Sequence, residues 1–150
     1  MTRFVREVAA YHSDGVRDEV VDLVTQQVRR SGTRVVVAHS LGSVAAYEAL
    51  WADPSLELDL LVTMGSPLGA RQVVFDRLRP APLDGKGARP PGVRRWVNVA
   101  DRGDLVAVPK QLETRFDGVE QEKPVSIGVL DFHRAKAYLT CPPVAALLAL

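Results

Sequence analysis

Cysteine is nearly absent: Cys141 stands alone, which excludes an intramolecular disulfide and cannot by itself build a metal site. Histidine is almost as scarce, so any chemistry that needs an imidazole must use His12, His39 or His133. Neither sign of charge dominates. Nineteen basic against 18 acidic side chains leave a net charge of +1, which argues against a general binder of nucleic acid or anionic membranes. No stretch approaches the roughly 18 apolar residues of a membrane span. Residues 1–10 carry Arg3, Arg6 and Glu7 where a secretory signal needs an apolar core. No Walker pattern, G-x-G-x-x-G, paired-cysteine zinc pattern or internal repeat occurs. These absences lead us to expect a cytoplasmic protein with no membrane span, no nucleic-acid partner, no cofactor and no metal.

What is present is an ordinary globular mixture: 47% hydrophobic and 25% charged residues over 150 positions, the length of one domain. Phe4, Val5, Val8 and Ala9 predict a short amphipathic helix, broken near Ser13-Asp14-Gly15. A second helix is expected from Asp14 to Arg30, with Val16, Val20, Leu23, Val24 and Val28 on one stripe and Gly32 as its stop. Residues 33–38 form a β-branched run without alternation, which predicts a central strand of a parallel sheet, buried on both faces. A helix is expected from Gly42 to Trp51, packing through Ala45, Ala46, Ala49 and Leu50 and ended by Asp53-Pro54. Strands are expected at 58–64 and 94–99, a weak one at 125–127, and closing helices at 133–139 and 142–150. The alternation predicts an α/β fold, a mostly parallel sheet flanked by helices. Residues 79–93 hold Pro80, Pro82, Pro90, Pro91, Gly85, Gly87 and Gly92, and are expected to be a loop, a lid or a linker.

Chemistry concentrates in Val35-Val36-Val37-Ala38-His39-Ser40-Leu41-Gly42-Ser43. A serine hydroxyl is a poor nucleophile unless it is exposed beside a base and near donors for an oxyanion. A sharp strand-to-helix turn lifts Ser40 out of the fold and aims the Leu41 backbone N–H at the developing charge. Close packing of such a turn calls for small residues on either side, here Ala38 and Gly42. The segment resembles the nucleophile elbow of the α/β-hydrolase superfamily, the serine lipase and esterase group, with Ala38 in place of the usual first glycine. The plainer alternative makes Ser40 a helix cap.

The resemblance implies the order serine, acid, histidine. The acid belongs in the loop after the strand at 94–99, which matches Asp104 in Asp104-Leu105-Val106, with Asp101 as the alternative. The base near the C-terminus matches His133 in Asp131-Phe132-His133. His12 precedes the nucleophile, and His39 adjoins Ser40 on a strand, where it is expected to be packed and hydrogen-bonded rather than catalytic. Ser66 is expected in a turn. Trp51, Trp96 and Tyr47 are expected in packing, and Cys141 as an inert thiol. The implied activity is cleavage of a carboxylic ester or thioester, from small-molecule or lipid-like substrates, through a Ser40–His133–Asp104 triad and an acyl-enzyme.

The resemblance extends from Asp14 to Leu150 but covers only the C-terminal part of the family fold, because several strands ordinarily precede the nucleophile. No segment before Ser40 matches the loop that gives the second oxyanion donor, a group worth about 2.7–4 kcal/mol in other enzymes. A partner chain, self-association or further strands are therefore expected to complete the sheet. The alternative function is a catalytically incomplete subunit or interaction domain. A doubly wound domain binding an anion at the helix start is a third reading.

Overall fold

The computed structural model describes residues 2–13, 15–128 and 133–149. In chain order the elements are α1 (Thr2–Tyr11), α2 (Val16–Ser31), β1 (Val35–His39), α3 (Leu41–Ala52), β2 (Leu58–Met64), β3 (Gly87–Ala88), β4 (Val93–Val99), β5 (Phe116–Asp117), β6 (Val119–Gln121), α4 (Ala135–Thr140) and α5 (Pro142–Leu148). The main sheet has the order β1-β2-β4-β6 with every pairing parallel, and β3 and β5 form a second, two-stranded sheet. The fold is α/β with helices flanking a mostly parallel sheet, as the alternation predicts.

The strands feed two cores, alternating along β2 from Leu60 to Met64, while Leu58 at the start of the strand joins the cluster of Leu61. Leu58 and Leu61 of β2 face one cluster with Trp96, Tyr47, Phe75 and Phe116, and Leu60, Val62 and Met64 face another with Tyr138, Cys141 and Val144. Phe116 holds the aromatic cluster together edge-on, its centroid 5.2 Å from Trp96, 5.4 Å from Phe75 and 5.5 Å from Tyr47. Tyr47 and Trp96 thus pack as expected, and Cys141 is a buried free thiol.

Several expectations are corrected. β1 lies at the edge of the sheet, not its centre, and its outer edge has no ladder partner among the described residues. Its valines still meet core on both faces, Val36 on one side and Val35 and Val37 on the other. The fourth strand is β6, three residues long, registered Trp96↔Val119 to Asn98↔Gln121, whereas Val125 makes only an isolated bridge to Asp101. On α2, Val20, Val24 and Val28 reach the core, but Leu23 is 66% exposed and Val16 lies outside the buried set. Asp14, its expected first residue, lies outside the described residues. Residues 79–93 join two adjacent strands of one sheet and are no linker. They carry a Leu83–Lys86 bridge and β3, where Gly87 leaves space that a Cβ would take from the Phe116 ring, 2.4 Å away.

The helices before β1 are held by a buried polar network. Arg17 of α2 donates from Nε to Glu48 Oε2 of α3 at 2.8 Å and from an Nη to the other carboxylate oxygen, Oε1. Tyr11 of α1 donates to Glu48 Oε2 at 2.6 Å, and the Arg79 N–H donates to Oε1 at 3.0 Å. Arg17 also reaches the Arg77 carbonyl at 2.7 Å, and Glu48 is only 2% exposed. Glu48→Ala leaves Arg17 buried without its counter-charge, so it is expected to cost about 3–5 kcal/mol, measured as the shift of the urea unfolding curve. A loss below about 1 kcal/mol would show that solvent reaches the network. Among the described residues, no helix is long and apolar enough to cross a membrane.

Candidate active site

All four strands of the sheet run the same way, so their C-terminal ends share one edge of the molecule. Ser40 follows β1, Gly65 follows β2, and the 100–110 segment follows β4. Open parallel sheets place ligands at this edge. Ser40 adopts φ 53° and ψ −132°, an uncommon conformation for a residue with a Cβ, between β1 and α3. Its side chain makes no capping hydrogen bond to α3, so the helix-cap reading does not describe it.

The turn is braced from behind. Ser40 N–H continues the ladder to the Met64 carbonyl at 3.0 Å, and the Ser40 carbonyl accepts from Ser43 N–H at 3.0 Å and Ser43 Oγ at 2.6 Å. Ser43 has spent its one hydroxyl proton there, so the 2.7 Å contact between Ser43 and Ser66 must be donated by Ser66, which itself accepts from Leu68 N–H. Ser66 sits in a turn, as expected, and fastens the elbow to the end of β2. Ala38 is buried, but a Cβ at Gly42 would meet nothing within 4 Å, so crowding does not require glycine there.

Ser40 Oγ lies 2.8 Å from His133 Nε2, and His133 Nδ1 lies 2.8 and 2.9 Å from the two carboxylate oxygens of Asp104. Asp104 is fully buried; Oδ1 also accepts from Val106 N–H at 2.9 Å and Ala107 N–H at 3.3 Å, and Oδ2 from the Tyr138 hydroxyl at 2.7 Å. Burial alone would push its carboxyl up. The hydrogen bonds from His133, Tyr138 and Val106 outweigh burial and hold it below the ordinary carboxylate range. An ionised carboxylate only accepts, so the His133 proton sits on Nδ1 and the Nε2 lone pair faces the serine hydroxyl. Lys110 donates to the Asp104 carbonyl, tightening the same loop.

The pair fits because residue 65 is glycine. It adopts φ 53°, and a Cβ there would stand 2.8 Å from Asp104 Oδ2 and 3.3 Å from His133 Nδ1.

Asp101, the alternative acid, is turned away from the imidazole. Its Oδ1 accepts from Gly103 N–H at 2.7 Å and its Oδ2 from Ile127 N–H at 2.8 Å, so it shapes the loop that carries Asp104. His39 is packed as expected, its ring centroid 4.8 Å from that of His133, but its buried Nε2 has no hydrogen-bond partner. Burial, then the neighbouring His133, push its titration down, which keeps it neutral. His12 stacks edge-on to Tyr11 at the end of α1, away from Ser40. Asp131 and Phe132 lie outside the described residues.

The three residues open into a cleft of about 500 Å³, walled by Phe4 of α1, His39, Leu105 and Val106. A cleft of about 490 Å³ between α2 and α3, lined by Asp18, Asp22, Trp51 and Arg79, has similar size but no nucleophile–base pair. Tyr138, Gly65 and Phe4 are parts of this site that sequence reasoning missed; only the glycine directly after a buried strand carried a local signal. Among the described residues, no group of three or more His, Cys, Asp or Glu side chains could hold a metal ion. Comparison with protein-family models, curated proteins and solved structures finds no match for the chain.

Proposed function

We propose that this chain is a serine hydrolase of the α/β-hydrolase kind that cleaves a carboxylic ester or thioester through an acyl-enzyme. The observation that carries the reading is the unbroken line from Ser40 Oγ through His133 to the buried Asp104 carboxylate, each step 2.8 Å. Ser40 Oγ attacks the acyl carbonyl while His133 Nε2 takes its proton. Asp104 holds the ring in the productive tautomer and stabilises the imidazolium. The oxyanion is met by Leu41 N–H, at the start of α3, where the first N–H groups of a helix have no intrahelical acceptor. His133 returns the proton to the departing alcohol or thiol as the acyl C–O or C–S bond breaks. Water then adds to the acyl-serine by the same proton path, releasing the acid and Ser40. Phe4, Leu105 and Val106 offer an apolar wall to an acyl or alcohol group, with Arg3 and Glu7 of α1 on the same cleft.

A second reading, a subunit or interaction domain that keeps the hydrolase fold, is favoured by one observation: β1 is an edge strand without a ladder partner among the described residues. In that reading a partner chain or a second copy completes the sheet. Stopped-flow hydrolysis of a p-nitrophenyl ester separates the two. The enzyme reading expects a burst of nitrophenol near one equivalent followed by slower turnover. Folded protein that hydrolyses none of a series of acyl chain lengths contradicts it.

A further inference from the structure

We infer that Tyr138 is a positioning residue of the site, setting both the place and the proton affinity of the Asp104–His133 pair; this rests on the serine-hydrolase reading. Tyr138 lies on α4, five residues after His133, and is completely buried among Leu60, Val62, Met64, Val97 and Val99. Its hydroxyl accepts from the Asp101 N–H at 2.8 Å and lies 2.7 Å from Asp104 Oδ2. The carboxylate only accepts, so the phenol must donate to it. Burial, with the Asp104 carboxylate beside it, raises the phenol well above its ordinary range, so it remains a donor throughout the working pH range.

The result is a directed chain: Asp101 N–H to Tyr138, Tyr138 O–H to Asp104, and His133 Nδ1–H to Asp104 from the other side. One segment, 133–140, therefore grips the same carboxylate twice, with the base and with the phenol. A hydrogen bond to an ionised carboxylate spreads its charge and makes it a weaker partner for the imidazolium. Tyr138 thus moderates the pull of Asp104 on the His133 proton, and so how readily the base gives that proton to a leaving group. Among the described residues, the titratable or charged groups near the His133 and Tyr138 rings include His39 from β1, Asp101 beside the phenol and, across the cleft, Arg3 and Glu7 from α1, with Lys110 on the Asp104 carbonyl. The carboxylate oxygens of Asp104 are instead bonded by His133, Tyr138, Val106 and Ala107.

Tyr138→Phe keeps the ring and removes only the hydroxyl. It is expected to raise the pH at which the His133 ring signals titrate in NMR by about one unit, a tenfold gain in proton affinity. The acid limb of kcat/KM follows the same shift, and kcat/KM falls about tenfold, a fraction of the 10²–10⁴ a positioned base contributes. A purely structural hydroxyl would lower stability and leave the titration in place, so an unchanged midpoint in folded Tyr138→Phe overturns the inference. If that variant loses cooperative unfolding, 3-fluorotyrosine at 138 restores the hydroxyl as a stronger donor. The midpoint must then fall below that of the natural protein, and no fall overturns the inference. The NMR titration needs no turnover. Failure of the hydrolase reading shows separately, as natural protein that takes no label from a serine-directed phosphonate.

Discussion

Ser40→Ala is expected to lower kcat for ester hydrolysis by roughly 10⁴- to 10⁶-fold while leaving the unfolding transition within about 1 kcal/mol of the original. The kinetic loss is large because the serine and the imidazole act as one unit, and removing the nucleophile leaves only binding and the oxyanion donor. The proposed function draws on one oxyanion donor, Leu41 N–H, so a modest starting rate and a loss in the lower part of that range are the more direct expectation. Stability changes little because the Ser40 side chain gives up one part-buried bond, to His133 Nε2, and makes no cap bond to α3, while its backbone bonds to Met64 and Ser43 are untouched. Alanine carries the same Cβ through the same φ of 53°, so no new strain enters. Steady-state hydrolysis and urea unfolding on the same preparation measure both halves. Residual activity above about one per cent of the original would place the nucleophile elsewhere.

Asp104→Asn and Asp101→Asn are expected to separate sharply, although both side chains are buried and lie three residues apart. At 104 an amide replaces one acceptor oxygen with a donor, opposite the Nδ1–H of His133 or the hydroxyl of Tyr138. The ring is then driven to the wrong tautomer, and kcat falls about 10⁴-fold. At 101 the loss is one acceptor for Gly103 or Ile127 N–H, about 1–3 kcal/mol of stability with kcat changed less than about tenfold. The reverse pattern would make Asp101 the acid. The two also differ in pH response. The Asp104 carboxyl is depressed in the fold, so its contribution to stability is complete above the ordinary carboxylate range and is lost as pH falls through the lowered value. Asp104→Asn should therefore flatten the acid arm of stability against pH.

Ser40, Asp104 and His133, which meet in one hydrogen-bonded line, are legible because the elbow is a local pattern. A buried strand, a serine between small residues and an alanine-rich helix must follow one another in the chain. The chain order that the resemblance implies, with only three histidines, then points to one candidate base, and the loop after the strand at 94–99 holds both candidate acids. The layers of the fold are legible for a similar reason, since unbroken apolar strands report core on both faces.

What stayed hidden depends on contacts far apart in sequence. Tyr138 reads as one aromatic of a short helix, and its meaning comes from Asp104, 34 residues away. The edge position of β1 is invisible because apolar faces say nothing about ladder partners. β6 has too few residues to show alternation: Glu120 faces solvent against Arg95, and Gln121 is held by its side-chain bond from Asn98. Leu23 sits near the apolar stripe of α2 and yet faces solvent, because the helix turns only Val20, Val24 and Val28 inward.

The proposed function stands or falls with an activated nucleophile at Ser40. It is tested most directly by treating folded protein with a fluorophosphonate and reading intact mass, with Ser40→Ala alongside. One adduct per chain is expected, mapped to the peptide carrying Ser40 and absent from the variant. A cooperatively folded protein that takes no label, or takes it at another residue, would contradict it.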